Sequence, residues 1–455
     1  MEGTPRASEQ RPPYRFQSTL RRLFAQYGMV LALVGLCAFF SWTTFHLESP
    51  LGSEGAQSLA SDIRALQPTP SRIVIVASPD DESRAFASEL SRELKRPDAP
   101  PAVIVGDPPT ARQALEAEAA AGRAPDVVAT TQAGRNWAVW DALHTTVPAF
   151  AHLRVLAPTA RYRSAFLSPS NLRNITDQIS VIAIIAAAMT MVIILGGIDL
   201  SVGSLVALAA VCVAWLIRRF GGEGASGASM LVASLAAIAA CGAVGLFSGV
   251  MVTAFRTPPF IATLAMMQVA GGLAFIVAQG QSIYDIPASF TWLGRSELAS
   301  IPVSVLLMVV IYIVAHFVMA RSRFGRMIYA VGGNAEAARL SGIPIARVRT
   351  LVYVLSGLMA GVGGVVTASQ LKAGSPTYGG AYELYVIAAV VVGGTSLAGG
   401  EGQILGTLIG ALIIGVIRNG MNLMNVEPYT QKVMLGLVIL GAVLLDMWKR
   451  RKVMV

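Results

Sequence analysis

Ile179-Ser-Val-Ile-Ala-Ile-Ile-Ala-Ala-Ala-Met-Thr-Met-Val-Ile-Ile-Leu195 is a run of seventeen residues without one charge. As a helix it would be about 26 Å long, close to the roughly 30 Å hydrocarbon core of a bilayer. Such a run belongs in lipid or in a deep core, and the rest of the chain decides between them. Further apolar runs lie near 200–217, 229–254, 260–278, 301–319, 350–368, 384–397, 404–417 and 433–448, and one more precedes them at 27–45. Ten runs in one chain predict an all-α polytopic membrane protein of about ten transmembrane helices.

Composition agrees. The 455 residues are 54% hydrophobic and 13% charged, with mean hydropathy +0.60, which excludes a soluble globule, a disordered chain and a fibrous repeat. Charge is uneven: residues 171–455 carry 28 Asp, Glu, Lys and Arg in 285 positions, against 26 in the 124 positions of 47–170. A polar block therefore interrupts the apolar chain. The domains expected are a cytoplasmic tail over 1–26, a first helix over 27–46, an extracytoplasmic insertion over 47–170, and a membrane core over 171–455 with a loop at 320–350. The tail to Thr19, rich in Pro, Arg and Gln, reads as disordered. A signal peptide is the rival for the first run, but no small-residue cleavage pattern follows Trp42.

Net charge is +9. The excess sits in short stretches beside the apolar runs, where it sets membrane orientation, so nucleic acid is not an expected partner and membrane lipid is. With the N-terminus inside, cytoplasmic segments collect 16 Lys and Arg, among them six arginines from Arg321 to Arg349; short outside segments hold seven. Both termini are thus expected in the cytoplasm and the polar block outside. Arg218-Arg219 runs against the rule.

Within the block, β-branched runs at 72–77, 103–105, 126–129 and 153–156 alternate with helical stretches at 80–95, 109–122 and 134–143. That order predicts a small α/β layer with parallel strands and right-handed crossovers. No Gly-x-Gly-x-x-Gly follows the first strand, so a dinucleotide site has no support. Asp80, Asp81 and Glu82 read as a metal or phosphoryl-acceptor cluster or, more simply, as acids favouring a helix N-terminus. Cys37, Cys212 and Cys241 all fall in apolar runs, and the four histidines are scattered, so neither a disulfide framework nor a metal site is expected.

Five stretches occur in order: Gly196-Gly-Ile-Asp-Leu-Ser-Val-Gly-Ser204, Thr257-Pro-Pro-Phe-Ile-Ala-Thr-Leu264, Phe324-Gly-Arg-Met-Ile-Tyr-Ala-Val-Gly-Gly-Asn334, Ala337-Ala-Arg-Leu-Ser-Gly342 and Gly393-Gly-Thr-Ser-Leu-Ala-Gly-Gly400. Together they closely resemble the permease subunits of bacterial ABC importers for ribose, xylose, galactose and similar monosaccharides, over 171–455 and the first span. The long insertion departs from that family. The resemblance implies a multi-pass protein of the bacterial cytoplasmic membrane, a second permease copy (identical or a homologue), a cytoplasmic ATPase subunit and an extracytoplasmic sugar-binding protein. It also implies no enzymatic activity and no cofactor in this chain, ATP and Mg being held by the partner. The residues agree on that point: only five lysines exist, and none ends a Gly-x-x-x-x-Gly-Lys loop.

In the loop 321–349, Asn334 is a good N-cap, Glu336 sits in the first turn, and Gly342 and Pro344 stop the helix. A rigid two-turn stub in a cytoplasmic loop suits a groove on another protein. It looks like the coupling helix that contacts the ATPase, with Asn334, Glu336, Ala338, Arg339 and Gly342 as its residues; a solvated connector is the plainer reading. Pathway candidates are Tyr382 and Glu383, where the eighth run begins on the outer side, and Gln268 with Thr263 on one helix face. Neutral sugars are held by amide, carboxylate and hydroxyl groups beside aromatic rings, although tyrosines also form interface belts and lone amides also join helices. Asp199, opening the third span, reads as a proton or cation site or as an N-cap. Asn419, Asn422 and Asn425 read as turn formers in an outside loop. The runs 384–397 and 404–417 are expected to be short, Gly-flanked helices walling a pathway.

The resulting expectation is import of a neutral monosaccharide by alternating access. The alternatives are a branched-chain amino acid permease of the same importer group, an autonomous secondary transporter coupled through Asp199 or Glu383, and a receptor whose block senses a ligand.

Overall fold

The structure, a computed structural model, describes residues 15–48, 50, 52–68, 70–95 and 100–451. It divides into two compact units, one of residues up to Thr43 and from Phe166 onward, the other Thr44–Ala165. Of the tail expected to be disordered, 1–14 lies outside the described residues, while 15–19 belongs to the first helix, α1 (Arg15–Thr43).

The smaller unit opens with β1 (Phe45–Glu48) and α2 (Gly52–Arg64), continues through β2 (Ile73–Ala77), α3 (Asp81–Glu93), β3 (Ala102–Val105), α4 (Pro108–Ala120), β4 (Val127–Thr130), α5 (Gln132–Arg135), α6 (Val139–Thr146) and β5 (Arg154–Leu156), and closes with β6 (Arg161–Ser164). The strands β3-β2-β4-β5 form one parallel sheet in that order, and β1 and β6 pair antiparallel where the chain enters and leaves. Both faces are covered: Leu59, Ile63, Phe86 and Leu90 from α2 and α3 on one, Leu115, Trp140, Leu143 and Phe150 on the other. That is why β2 and β4 read as unbroken apolar runs rather than alternating ones. Asp80, Asp107 and Thr131 cap α3, α4 and α5, each accepting a backbone N–H three residues on. The acidic cluster thus has its capping explanation. Bonds from Ser71 and from the Ser71 and Arg72 backbone hold the Asp126 carboxyl below the ordinary aspartate range.

The larger unit is helical: α7 (Pro169–Ile194), α8 (Val202–Arg219), α9 (Gly227–Thr253), α10 (Pro259–Ala278), the turn α11 (Trp292–Arg295), a two-residue ribbon of β7 (Glu297–Leu298) and β8 (Ile301–Pro302), then α12 (Val303–Arg321), α13 (Arg323–Gly333), α14 (Ala335–Leu340), α15 (Ile345–Leu371), α16 (Tyr382–Val392), α17 (Ile404–Leu423) and α18 (Pro428–Arg451). Among the described residues seven helices are long and apolar enough to cross a membrane: α7, α8, α9, α10, α12, α15 and α17. Eighteen of the 26 residues of α7 are buried, so it runs through the interior of the unit. In α9, α10 and α12 only 28% of the most apolar eighteen-residue stretch is buried, which leaves broad apolar faces uncovered, as helices facing lipid do. Small residues let backbones approach closely: a Cβ on Gly245 of α9 would fall 2.3 Å from the Tyr353 carbonyl of α15, and one on Gly357 of α15 would meet the Cys241 carbonyl at 2.3 Å.

Two expectations are corrected. α16, at 11 residues, is short, but α17 runs 20 residues because Arg418, Asn419 and Asn422 continue the helix. Asn419 is not a turn former: it is buried in α17, donating to Asn171 at 2.8 Å and accepting from it at 3.0 Å. Asn422 accepts from Gln431 at 2.8 Å, and Asn425 alone takes the left-handed turn, at φ +53°.

Candidate translocation pathway and coupling surface

The chain between α7 and α8 is a turn rather than a helix start. Asp199, 1% exposed, accepts at Oδ1 from the Ser201 backbone N–H (3.0 Å) and hydroxyl (2.6 Å), and at Oδ2 from the Ser356 hydroxyl of α15 (2.7 Å). It does not cap α8, whose N-cap is Ser201 without a side-chain bond. The carboxylate instead ties the turn to α15. Thr263 of α10 completes the tie by donating to the Ile198 carbonyl at 3.1 Å.

This turn collects three of the glycine motifs. Gly400 N–H donates to the Ile194 carbonyl at 2.8 Å, a Cβ on Gly332 of α13 would fall 1.9 Å from that oxygen, and one on Gly399 would stand 3.0 Å from it. The convergence has no signal in local sequence; only the recurrence of Gly-Gly pairs hints at it.

Gln268 and Glu383 are brought together. Both line a cleft of about 620 Å³ whose other walls include Gly203 and Ser204 of α8, Gly271 and Phe275 of α10, and Tyr378. Glycines in the wall leave room for the rest of it: a Cβ on Gly203 would lie 2.3 Å from Glu383 Oε2 and 2.6 Å from the Gly379 carbonyl, and Gly379 itself adopts φ +72°. Thr263 and Tyr382 are not in this cleft. Five residues separate Thr263 from Gln268, about 140° around a helix, so they do not share a face as expected. Tyr382 packs into the core edge-on to Tyr385, at 6.5 Å between ring centres. The tyrosine that does line the cleft is Tyr378, four residues before Tyr382.

The stub α14 has the expected cap, Asn334 Oδ1 accepting from the Ala337 N–H at 2.9 Å, and Glu336 pairs with Arg339. Gly342 ends it at φ +79°. Ala338 faces inward at 4% exposed, so it seats the stub and has no surface to offer a partner. Leu340, 79% exposed, is the apolar tip that sequence reasoning missed. An exposed leucine draws attention only once neighbouring side chains are known to leave it uncovered.

The family described as "Branched-chain amino acid transport system / permease component" matches residues 171–443. The chain therefore belongs to that family of transport permeases, and the resemblance read from the five motifs is borne out. It is 42% identical over 300 residues to the ribose import permease protein of Escherichia coli (strain K12), covering 65% of this chain and 91% of that one. The ribose import permease protein of Bacillus subtilis (strain 168) is also 42% identical, over 62% of this chain and 86% of its own. An L-arabinose ABC transporter permease protein of Azospirillum brasilense is 36% identical, over 69% and 91%. No solved structure matches the chain.

Proposed function

We propose that the chain is the membrane permease subunit of an ATP-binding cassette importer and forms the pathway for a neutral monosaccharide. The observation that carries the reading is the glycine-walled cleft holding one amide, Gln268, and one carboxylate, Glu383, in a chain of this family. An amide donates and accepts and a carboxylate accepts, which suits the vicinal hydroxyls of a sugar. The relatives' names are those of ribose and arabinose permeases, which favours a sugar over a branched-chain amino acid.

In this reading α1, α16 and α18 complete ten passes with both termini in the cytoplasm, and residues 44–165 lie outside as an interaction module for a solute-binding protein. Two copies enclose the pathway. A separate ATPase subunit holds ATP and Mg and grips α14 through Glu336, Arg339 and Leu340, with Asn334, Ala338 and Gly342 fixing the stub's shape. ATP binding and hydrolysis on the partner would shift α14, and its base, packed against α13 and α15, would pass that movement to the turn around Asp199 and so to the cleft wall.

The test is a mild-detergent pull-down of the tagged chain from its native membranes, with mass spectrometry. Recovery of a P-loop ATPase at comparable abundance is the expected result; repeated recovery of this chain alone refutes the importer reading. Deleting 60–160 should weaken binding-protein capture, and unchanged capture and uptake would remove the module's proposed role.

A further inference from the structure

Beside α14, where the C-terminus of α9 meets the N-termini of α10 and α15, a second cleft of about 610 Å³ is lined by Arg256, Arg339, Arg349, Thr257 and Tyr353, and no carboxylate is among its lining residues. Three guanidiniums around one cavity repel one another unless an anion lies between them. Arg339 is paired with Glu336, while neither Arg256 nor Arg349 has an ion-pair partner among the described residues. α10 and α15 both begin at this cleft, behind Pro258 and Pro344, and neither N-cap side chain supplies a capping bond. Two long helices thus direct the positive ends of their dipoles toward it.

A fourth observation points independently to a ligand. Tyr353 is 2% exposed, lines the cleft, and its hydroxyl has no hydrogen-bond partner among the described residues. Buried polar groups are almost always satisfied, so a buried hydroxyl without a partner beside a cavity calls for a group that reaches it from the cavity. A Cβ on Gly197 would stand 2.6 Å from that hydroxyl, so only a glycine there lets the ring end beside the turn.

We propose that this cleft binds a phosphoryl group, carried by a small phosphate ester or a lipid head, with Arg256 and Arg349 as charged donors and the Tyr353 hydroxyl as a neutral one. Planar guanidiniums suit phosphate oxygens, and the cavity has the volume of an ordinary small-molecule site. Arg339 belongs both to this cleft and to α14, so occupancy would bear on the contact with the ATPase. That consequence rests on the coupling reading; the binding itself does not.

The test uses the purified full-length chain in phosphatidylcholine nanodiscs, titrated with ribose 5-phosphate, inorganic phosphate and ribose while thermal unfolding and calorimetry are followed, with a parallel set of discs containing phosphatidylglycerol. Both phosphates are expected to bind and stabilise, and ribose is not. Arg256→Gln and Arg349→Gln should each weaken binding at least about tenfold, as loss of a charge-assisted bond does. Tyr353→Phe should weaken it about fivefold with the ligand-free melting temperature unchanged, because the hydroxyl removed has no partner in the protein. Stabilisation by phosphatidylglycerol that phosphate cannot add to assigns the phosphoryl group to a lipid head. Arg256→Lys keeps the charge and controls for folding. The proposal is overturned if no phosphate or anionic lipid stabilises the chain, if ribose binds as well as its phosphate, or if binding survives both Gln substitutions. Loss of ATPase co-purification in the arginine variants, with no phosphate binding by the unaltered chain, would make the cleft a partner's seat instead.

Discussion

Replacing Asp199 by Asn separates two accounts of a buried carboxylate. As a structural tie it accepts three hydrogen bonds, two from Ser201 and one from Ser356. Asparagine is nearly isosteric: its Oδ1 can keep both Ser201 bonds, and its amide can donate to Ser356, whose hydroxyl rotates to accept. Asp199→Asn should therefore lose less than about 1 kcal/mol of stability and retain sugar uptake within about twofold. Asp199→Ala forfeits all three bonds and strands a buried N–H and two hydroxyls. At about 1 kcal/mol each the loss is about 3 kcal/mol, falling toward about 2 kcal/mol if these bonds are worth the smaller average found between membrane helices. The assay pairs thermal unfolding of the purified chain with uptake of a radiolabelled monosaccharide by the complete transporter in proteoliposomes. An Asn variant that unfolds like the unaltered chain yet transports nothing would refute the reasoning, since only a need for charge would then remain. Sensitivity of uptake to an ionophore would carry that result to an ion-coupled transporter.

Gly203→Ala places a methyl 2.3 Å from Glu383 Oε2 and 2.6 Å from the Gly379 carbonyl, so backbone must move and the cleft narrow; uptake should fall at least about tenfold, the scale of a misplaced binding group, with ATPase co-purification intact. Leu340→Asp should abolish that co-purification while leaving the melting temperature within about 1 °C, because an exposed apolar tip contributes little to the fold; retained association would remove Leu340 from the coupling surface. Asp126 has a carboxyl held below its unfolded value, so its contribution is present above the unfolded value, near pH 4, and is lost as pH falls through the folded one. Protection of the amides at residues 72–77, taken relative to their unfolded exchange rates, should fall as pH drops below about 4, and Ser71→Ala should blunt that change; identical profiles would separate Asp126 from the effect.

What could be read from the chain follows from the medium. Lipid offers backbone groups no hydrogen bonds, so a spanning segment must be a long apolar helix and announces itself one segment at a time. Runs such as 179–195 were legible for that reason, as were the cap at Asn334 and the family motifs, all of them local patterns. Polar residues at helix ends were not. Asn419 looks like a turn former by itself and becomes a helical residue because Asn171, far away in sequence, satisfies its amide.

The sequence by itself determined that this is a multi-pass permease-family protein interrupted by a polar block, because hydropathy, charge and motif wording are properties of neighbours along the chain. Tertiary structure alone decided which polar groups meet: Gln268 with Glu383 across a glycine-walled cleft, Asp199 with Ser356, and the arginines beside Tyr353. It also turned Ala338 inward and left Leu340 as the tip of α14. The reason is physical. A glycine's missing side chain matters only through the backbone or carboxylate that occupies its place, and that occupant comes from a distant part of the chain.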